Sequence, residues 1–276
     1  MPPTPTPLLN LAVDAAFAAA TVIRREGSDP SSLEVRAKRP NDFVTRVDLA
    51  SEAEIVRRLL QACPDHAVRS EESAAPHGNP DADHVWIVDP LDGTNNFIHG
   101  YPAYAVSLAL AVRGRIELGV VLDVVRGECF SAQRGQGAWL DGRRLEVSTR
   151  ATLAEAVVAT SCPIRPGPDF EPSMQVLGEV MARVSAVRRL GSAALDLAWC
   201  AAGRSDAQFD RGLAPWDVAA GALLVQEAGG LVTSFSGSAD FFDVRECLAA
   251  NPALHAALRG ILQTFSAPAI AAPASR

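Results

Sequence analysis

Asp89 and Asp92 are separated by Pro90-Leu91, directly after the apolar run Val85-Trp86-Ile87-Val88, and Gly93-Thr94-Asn95 follows them. An apolar, β-favouring run of this length reads as a short buried strand. Proline cannot donate to a sheet ladder, so the strand is expected to stop at Asp89. Two carboxylates at a strand end, with a turn between them, are then free to converge on one point. The Gly-Thr-Asn turn can offer backbone N–H groups or cap a helix, and either arrangement suits an anion. Acidic oxygens beside an anion-binding turn call for a cation between them.

Three more acids share that placement: Asp48, Glu71 and Asp217 each lie at an element's end beside an apolar segment. Each also has a purely structural explanation. Asp48 and Asp217 could be N-caps, Glu71-Glu72 a solvated loop, and Asp92-Gly93 an ordinary turn. Solvated acids need no such shared placement, however. If the five ends converge, like charges crowd together and bound cations make the cluster tolerable. No His or Cys lies near these acids in sequence as a ligand, so a hard, oxygen-loving cation is expected: Mg2+, with Mn2+ able to substitute.

The elements that must position these acids follow from patterning. Leu8 to Glu26 reads as an Ala- and Leu-rich helix closed by Gly27, between a loose tail and a polar loop at residues 28–32. Asp48 is expected to open a second helix running to about Cys63, and Val68 to Ser73 a strand ending in two acids. Strands follow at Ala105 to Val112, Ile116 to Val124 and Cys129 to Gln133, with Arg113-Gly114 as a hairpin turn. Further strands are expected at Val157 to Thr160, Val187 to Leu190, Ala207 to Phe209 and Leu231 to Phe235. Helices are expected near Pro172 to Arg183, then over Ala193 to Ala202, Asp217 to Ala228 and Asn251 to Phe265. Strands come both as hairpins and between helices, which supports a mixed sheet covered by helices. One domain over 8–265 is expected, with loose tails at 1–7 and 267–276.

Composition bounds the rest. The chain has 276 residues, 48% of them hydrophobic, enough for a sizeable core. A net charge of -7 without a basic run argues against nucleic acid as the main partner. Five cysteines (63, 129, 162, 200, 247) show no C-x-x-C spacing, which suits reduced thiols and a cytoplasmic protein. The start lacks a positive n-region, and the Ala-rich run after it contains Asp14 and ends at Arg24-Arg25. It is expected to be too short and too polar to span a membrane.

Four stretches carry a family resemblance: Asp42-Phe-Val-Thr-Arg-Val-Asp48, Glu71-Glu72-Ser73, Trp86-Ile-Val-Asp-Pro-Leu-Asp-Gly-Thr-Asn-Asn-Phe97 and Trp216-Asp-Val-Ala-Ala-Gly-Ala-Leu-Leu-Val-Gln-Glu-Ala-Gly-Gly230. With Gly191 to Leu197 and Ala201 to Asp206 between them, the chain from about 8 to 265 resembles the inositol monophosphatase family of magnesium-dependent, lithium-sensitive phosphatases. The resemblance implies an α/β (α+β) sugar-phosphatase fold of alternating αβαβα layers with mixed sheets, and a homodimer. It also implies two to three Mg2+ per site. Glu71, Asp89 and the Leu91 carbonyl would hold the first, and Asp89, Asp92 and Asp217 the second. Glu71 would help hold a third through water. Thr94, bonded to Asp48, resembles the pair that orients and deprotonates the attacking water, so Asp48, Thr94 and Glu71 are the expected catalytic residues. Gly93 and Thr94 N–H groups would bind phosphate oxygens, and attack by the metal-activated water would be direct, without a phosphoenzyme.

Substrate contacts carry over to Ser192, Ala193 and Asp210. Asp210 stands where the family usually places a Glu, which withdraws the carboxylate by roughly 1.5 Å and puts a direct inositol-hydroxyl contact in doubt or inserts a water. Ser70 replaces the family's common Gly before the two acids. The expected partner is a small phosphorylated polyol such as inositol monophosphate. Histidinol phosphate, fructose 1,6-bisphosphate and 3′-phosphoadenosine 5′-phosphate are alternatives within the same fold. From a different class, the fold could serve a non-catalytic regulatory binding protein, which could lose metal ligands freely.

Overall fold

The computed structural model of the chain describes residues 6–27, 35–39, 42–161 and 170–265. The loop at 28–32, Cys162 and most of both expected tails lie outside the described residues. Helix α1 (Pro7–Glu26) starts one residue earlier than its apolar pattern. The Thr6 hydroxyl accepts the Leu9 N–H, and Pro7 suits a first turn where its missing N–H has no partner to lose. The helix has 20 residues, and an 18-residue stretch of it has a mean hydropathy of 1.3, which by length and composition alone is enough to cross a bilayer. That corrects the expectation from Asp14 and Arg24-Arg25. Its small face from Ala12 to Ile23 is instead buried in the protein.

Strands β1 (Val35–Arg39) and β2 (Asp42–Thr45) pair as an antiparallel hairpin leading into α2 (Arg46–Ala62). Helix α2 begins before Asp48 because Thr45 is the N-cap, which corrects the expected start. Asp48 sits at the third helical position, accepting the Thr45 N–H while the Thr45 hydroxyl accepts helix N–H groups in return. Next come β3 (Ala67–Ser70), β4 (His77–Gly78), β5 (His84–Asp92), the short α3 (Thr94–Ile98), β6 (Ala105–Val112), β7 (Arg115–Asp123), β8 (Glu128–Gln133), β9 (Ala138–Leu140) and β10 (Arg143–Arg144). The chain continues through β11 (Val157–Ala159), α4 (Phe170–Met181), β12 (Ala186–Arg188), α5 (Ala193–Ala201), β13 (Ala207–Arg211), α6 (Pro215–Glu227), β14 (Leu231–Thr233), α7 (Phe241–Val244), β15 (Glu246–Ala250) and α8 (Pro252–Leu262).

Among the described residues β3 to β10 form one mixed sheet in the order β10-β9-β8-β7-β6-β5-β3-β4, parallel only between β3 and β5. The second sheet runs β12-β11-β13-β15-β14, parallel through β13 and antiparallel beyond it. Helices α1 and α2 cover one face of the large sheet, and their alanines and leucines meet Trp86, Val106, Leu108 and Val120. Helices α5 and α6 lie between the two sheets in the largest apolar cluster, and α4 and α8 close the far face of the small sheet. The layers are therefore αβαβα. Gly119 lets α6 lie close on β7, since a Cβ there would fall 2.9 Å from Ala220 backbone atoms.

Pro90 does not end the strand. β5 pairs with β6 from His84↔Val112 to Asp89↔Ser107 and again at Asp92↔Ala105. Three residues of β5 are thus matched by two of β6, a bulge in which no ladder N–H is required of the proline. The extra residue has a consequence for chemistry. Residues three apart on a regular strand face opposite ways, and one bulged residue returns Asp89 and Asp92 to the same side.

Candidate metal centre

The bulge, the end of β3 and the first turn of α6 bring the acids together. One carboxylate oxygen from each of Glu71, Asp89 and Asp217 lies within 4.8 Å of the others. Glu71 follows β3 directly, and its N–H donates to Val88 O at 3.1 Å, which fixes it beside β5. Asp89 is buried, with one oxygen accepting the Leu91 N–H at 3.0 Å. Asp217 is at the third position of α6, not its N-cap, and one oxygen accepts the Ala214 N–H at 2.7 Å. Asp92 is held from the other side, accepting the Ser192 hydroxyl at 2.6 Å and the Ala194 N–H at 2.8 Å. The N-termini of α5 and α6 thus both meet the cluster, where their dipoles favour negative charge.

Burial dominates the electrostatics. It pushes the Asp89 carboxyl well above the usual range, and the charges of Glu71, Asp92 and Asp217 add to the effect. Asp92 is raised to about 6 by burial, against the Ser192 and Ala194 hydrogen bonds that lower it. Asp217 is raised by burial and then by Asp92. A set of carboxylates that resist carrying their charges together fits a bound cation, and an oxygen-only donor set fits a hard one. Oxygens that lie within 4.8 Å of one another are close enough for a single hard cation to draw together.

Beside the cluster stands a second unit. The Thr94 hydroxyl donates to Asp48 Oδ1 at 2.8 Å and lies 3.1 Å from the Leu91 carbonyl. The other Asp48 oxygen accepts the Thr45 N–H and hydroxyl. Burial raises the Asp48 carboxyl despite these donors. Gly93 turns the chain from β5 into α3 at φ 94, and a Cβ there would lie 2.9 Å from Ala103 O, so only glycine fits without strain.

Of the expected substrate contacts, Ser192 is the N-cap of α5 and touches Asp92, and Ala193 follows it. Asp210 is turned inward on β13 and almost fully buried. Its oxygens accept the Ser161 N–H at 2.5 Å, the Thr160 hydroxyl at 3.3 Å and the Gln208 amide at 2.6 Å. Burial pushes its carboxyl up to about 7. Sequence reasoning passed over several supporting groups. The Ser51 hydroxyl donates to Pro90 O at 2.8 Å, and the Asn96 amide donates to Ala103 O and Leu190 O, both at 2.7 Å. The Ser107 hydroxyl holds Trp216 O at 3.2 Å, steadying the start of α6. Asp196, buried with no partner for either oxygen among the described residues, lies near Asp210 and Asp92, and burial raises it strongly. Ser107 and Asp196 stand inside apolar runs, a signal that could have marked them, whereas Ser51 and Asn96 carry no such mark in the sequence.

Known proteins resemble the chain over nearly its whole length. The chain is 44% identical over 267 residues to Nus factor SuhB of Pseudomonas aeruginosa, covering 96% of this chain and 98% of that one. It is 42% identical over 251 residues to inositol-1-monophosphatase of Mesorhizobium japonicum, covering 91% and 94%. The crystal structure of the extragenic suppressor protein SuhB of Bartonella henselae superposes with a TM-score of 0.90 at 40% identity, over 94% of this chain and 99% of that one. Residues 4–267 match the family described as the inositol monophosphatase family, and the chain belongs to it.

Proposed function

We propose that the protein is a Mg2+-dependent phosphomonoesterase acting on inositol monophosphate or a related polyol phosphate. One observation carries this: the oxygens of Glu71, Asp89 and Asp217 gather around a buried Asp89, next to a hydrogen-bonded Thr94–Asp48 pair. Glu71, Asp89, Asp92, Asp217 and the Leu91 carbonyl would hold the ions. Bound Mg2+ supplies positive charge that lowers the pKa of water and neutralises phosphoryl oxygens. Thr94 Oγ1 would accept a hydrogen bond from the attacking water while its own proton stays directed at Asp48 Oδ1. Asp48, raised by burial, is the better proton acceptor near neutral pH for it. The Gly93 and Thr94 N–H groups would orient the phosphate, with Ser192 and Ala193 along the polyol. Any contact from Asp210 would run through water, because its oxygens already have protein donors. The family resemblance supports lithium sensitivity, a homodimer and a cytoplasmic location.

The test is phosphate release from inositol 1-phosphate, histidinol phosphate, fructose 1,6-bisphosphate and 3′-phosphoadenosine 5′-phosphate. Each is assayed with Mg2+, without it, and with added lithium, using Asp89→Asn as control. Mg2+-dependent turnover lost in Asp89→Asn supports the proposal, and the preferred substrate names the branch. The relative from Pseudomonas aeruginosa is named as a Nus factor and not as an enzyme, which favours a binding role as the second reading. Folded, Mg2+-bound protein that turns over none of the four would favour that reading.

A further inference from the structure

Helix α2 presents three buried polar side chains on one face, Asp48, Ser51 and Glu52, spaced at three and four residues. Asp48 reaches Thr94, and Ser51 reaches the Pro90 carbonyl inside the β5 bulge. Glu52 reaches the third segment of the centre. It is 6% exposed, and one oxygen accepts both the Ser70 hydroxyl at 2.6 Å and the Glu72 N–H at 3.2 Å. Its other oxygen accepts the Ser73 hydroxyl, and that oxygen lies 3.4 Å from His77 Nε2, which is itself 2.8 Å from Ser73 Oγ. Glu71 is the one residue between Ser70 and Glu72. Its neighbours on both sides are therefore fastened to a single carboxylate, and its own N–H is tied to Val88 O.

Burying a carboxylate is costly unless donors compensate it, and among the described residues every donor to Glu52 comes from the segment that carries Glu71 or from His77 next to it. We propose that Glu52 is a positioning residue of the metal centre, holding the 70–73 turn so that Glu71 faces Asp89 and Asp217. The inference rests on the proposed metal-dependent function. Ser70 gives this chain one more tie than the Gly common in the family would allow, because glycine has no hydroxyl to offer Glu52. Residues that orient a ligand without touching the ion typically change metal affinity by about 10- to 100-fold.

The test is Mg2+ binding by calorimetry on the wild type, Glu52→Ala, Glu52→Gln, Ser73→Ala and Asp89→Asn, with the melting temperature of each metal-free protein measured alongside. Glu52→Ala should bind Mg2+ about tenfold more weakly. Glu52→Gln should stay within about threefold of wild type. Its carbonyl can accept from Ser70 and Glu72 while its amide donates to Ser73, whose hydroxyl then turns to His77. Ser73→Ala should lose about threefold, on the order of one hydrogen bond, and it decides the matter if Glu52→Ala does not fold. A lowered melting temperature with wild-type Mg2+ affinity in Glu52→Ala, or in Ser73→Ala where that variant must stand in, overturns the inference and leaves Glu52 a packing role. Wild-type protein that takes up no Mg2+ overturns the metal centre itself, and the positioning role with it.

Discussion

Removing divalent ions should destabilise the protein most above pH 6, and Mg2+ should restore it there but not in acid. Asp92 shows the size of the effect. Its carboxyl is raised from 3.8 to about 6 in the folded protein, some two units, worth about 3 kcal/mol at 1.36 kcal/mol each. A raised folded pKa means that its stability is fully present below about pH 3.8 and is lost as pH rises to about 6. Asp89 and Asp217 shift in the same direction. At pH 8 the metal-free fold therefore holds carboxylates that it resists ionising, and a bound cation relieves them. At about 2–4 °C per kcal/mol, the Asp92 contribution alone gives a Mg2+-induced rise in melting temperature of about 6–12 °C. At pH 5 the Asp92 carboxyl keeps a proton that competes with the ion, and the rise should fall below about a third of that. His66 and His255 are lowered by burial, so they remove stability as pH falls through the range below 6.5. Their effect is common to both arms and cancels in the difference between Mg2+ and chelator. Asp89→Asn removes a carboxyl whose ionisation burial and the charges of Glu71, Asp92 and Asp217 oppose, so its metal-free form should melt above metal-free wild type at pH 8, with no response to Mg2+. Differential scanning fluorimetry across pH 5 to 8 reads all of this. Equal Mg2+ shifts at both ends, or an Asp89→Asn protein that melts below metal-free wild type at pH 8, would refute the electrostatic account.

Thr94→Ala should lower kcat by about 10²- to 10⁴-fold while Mg2+ affinity by calorimetry stays within a few-fold, because the hydroxyl serves Asp48 and not the carboxylate cluster. Asp210→Asn should change KM for inositol 1-phosphate by less than about threefold yet lower the unfolding free energy by about 1–3 kcal/mol, because the buried carboxylate serves Ser161, Thr160 and Gln208. Gly93→Ala should cost about 1–3 kcal/mol in denaturant unfolding, since φ 94 and a carbonyl at 2.9 Å leave no relaxed place for a methyl group.

The acids were legible because they sit where apolar periodicity breaks, and that placement survives errors in element boundaries. Both αβ halves of the chain could also be followed, down to the Arg113-Gly114 turn, where both residues take positive φ. Strand β15 could not. Glu246-Cys-Leu-Ala-Ala250 is short, Ala-rich and without a β-branched residue, yet it is extended because β13 and β14 pair with its two edges. The bulge at Pro90 was equally invisible, since a proline signals the loss of one N–H and not whether the ladder resumes beyond it. Glu52 and Ser51 read as ordinary polar helix residues. Only the third dimension shows that their face of α2 is turned inward, toward the strands it grips.

Capping and metal binding are commonly treated as competing explanations for an acid at a helix start, and this site shows why they need not compete. Asp217 gives one oxygen to the Ala214 N–H, and Asp48 gives one to Thr45, as capping residues do. Asp92 spends an oxygen on the first turn of α5, and Asp89 on the bulge itself. A carboxylate fixed through one oxygen has its second oxygen aimed, with little rotamer entropy left to lose when an ion arrives. The same donors partly offset the burial that raises these carboxyls, so less of that cost is left for an ion to relieve. The hydrogen bonds that start the helices therefore also build the centre, and the shared position of these acids at element ends is the trace that this leaves in the sequence.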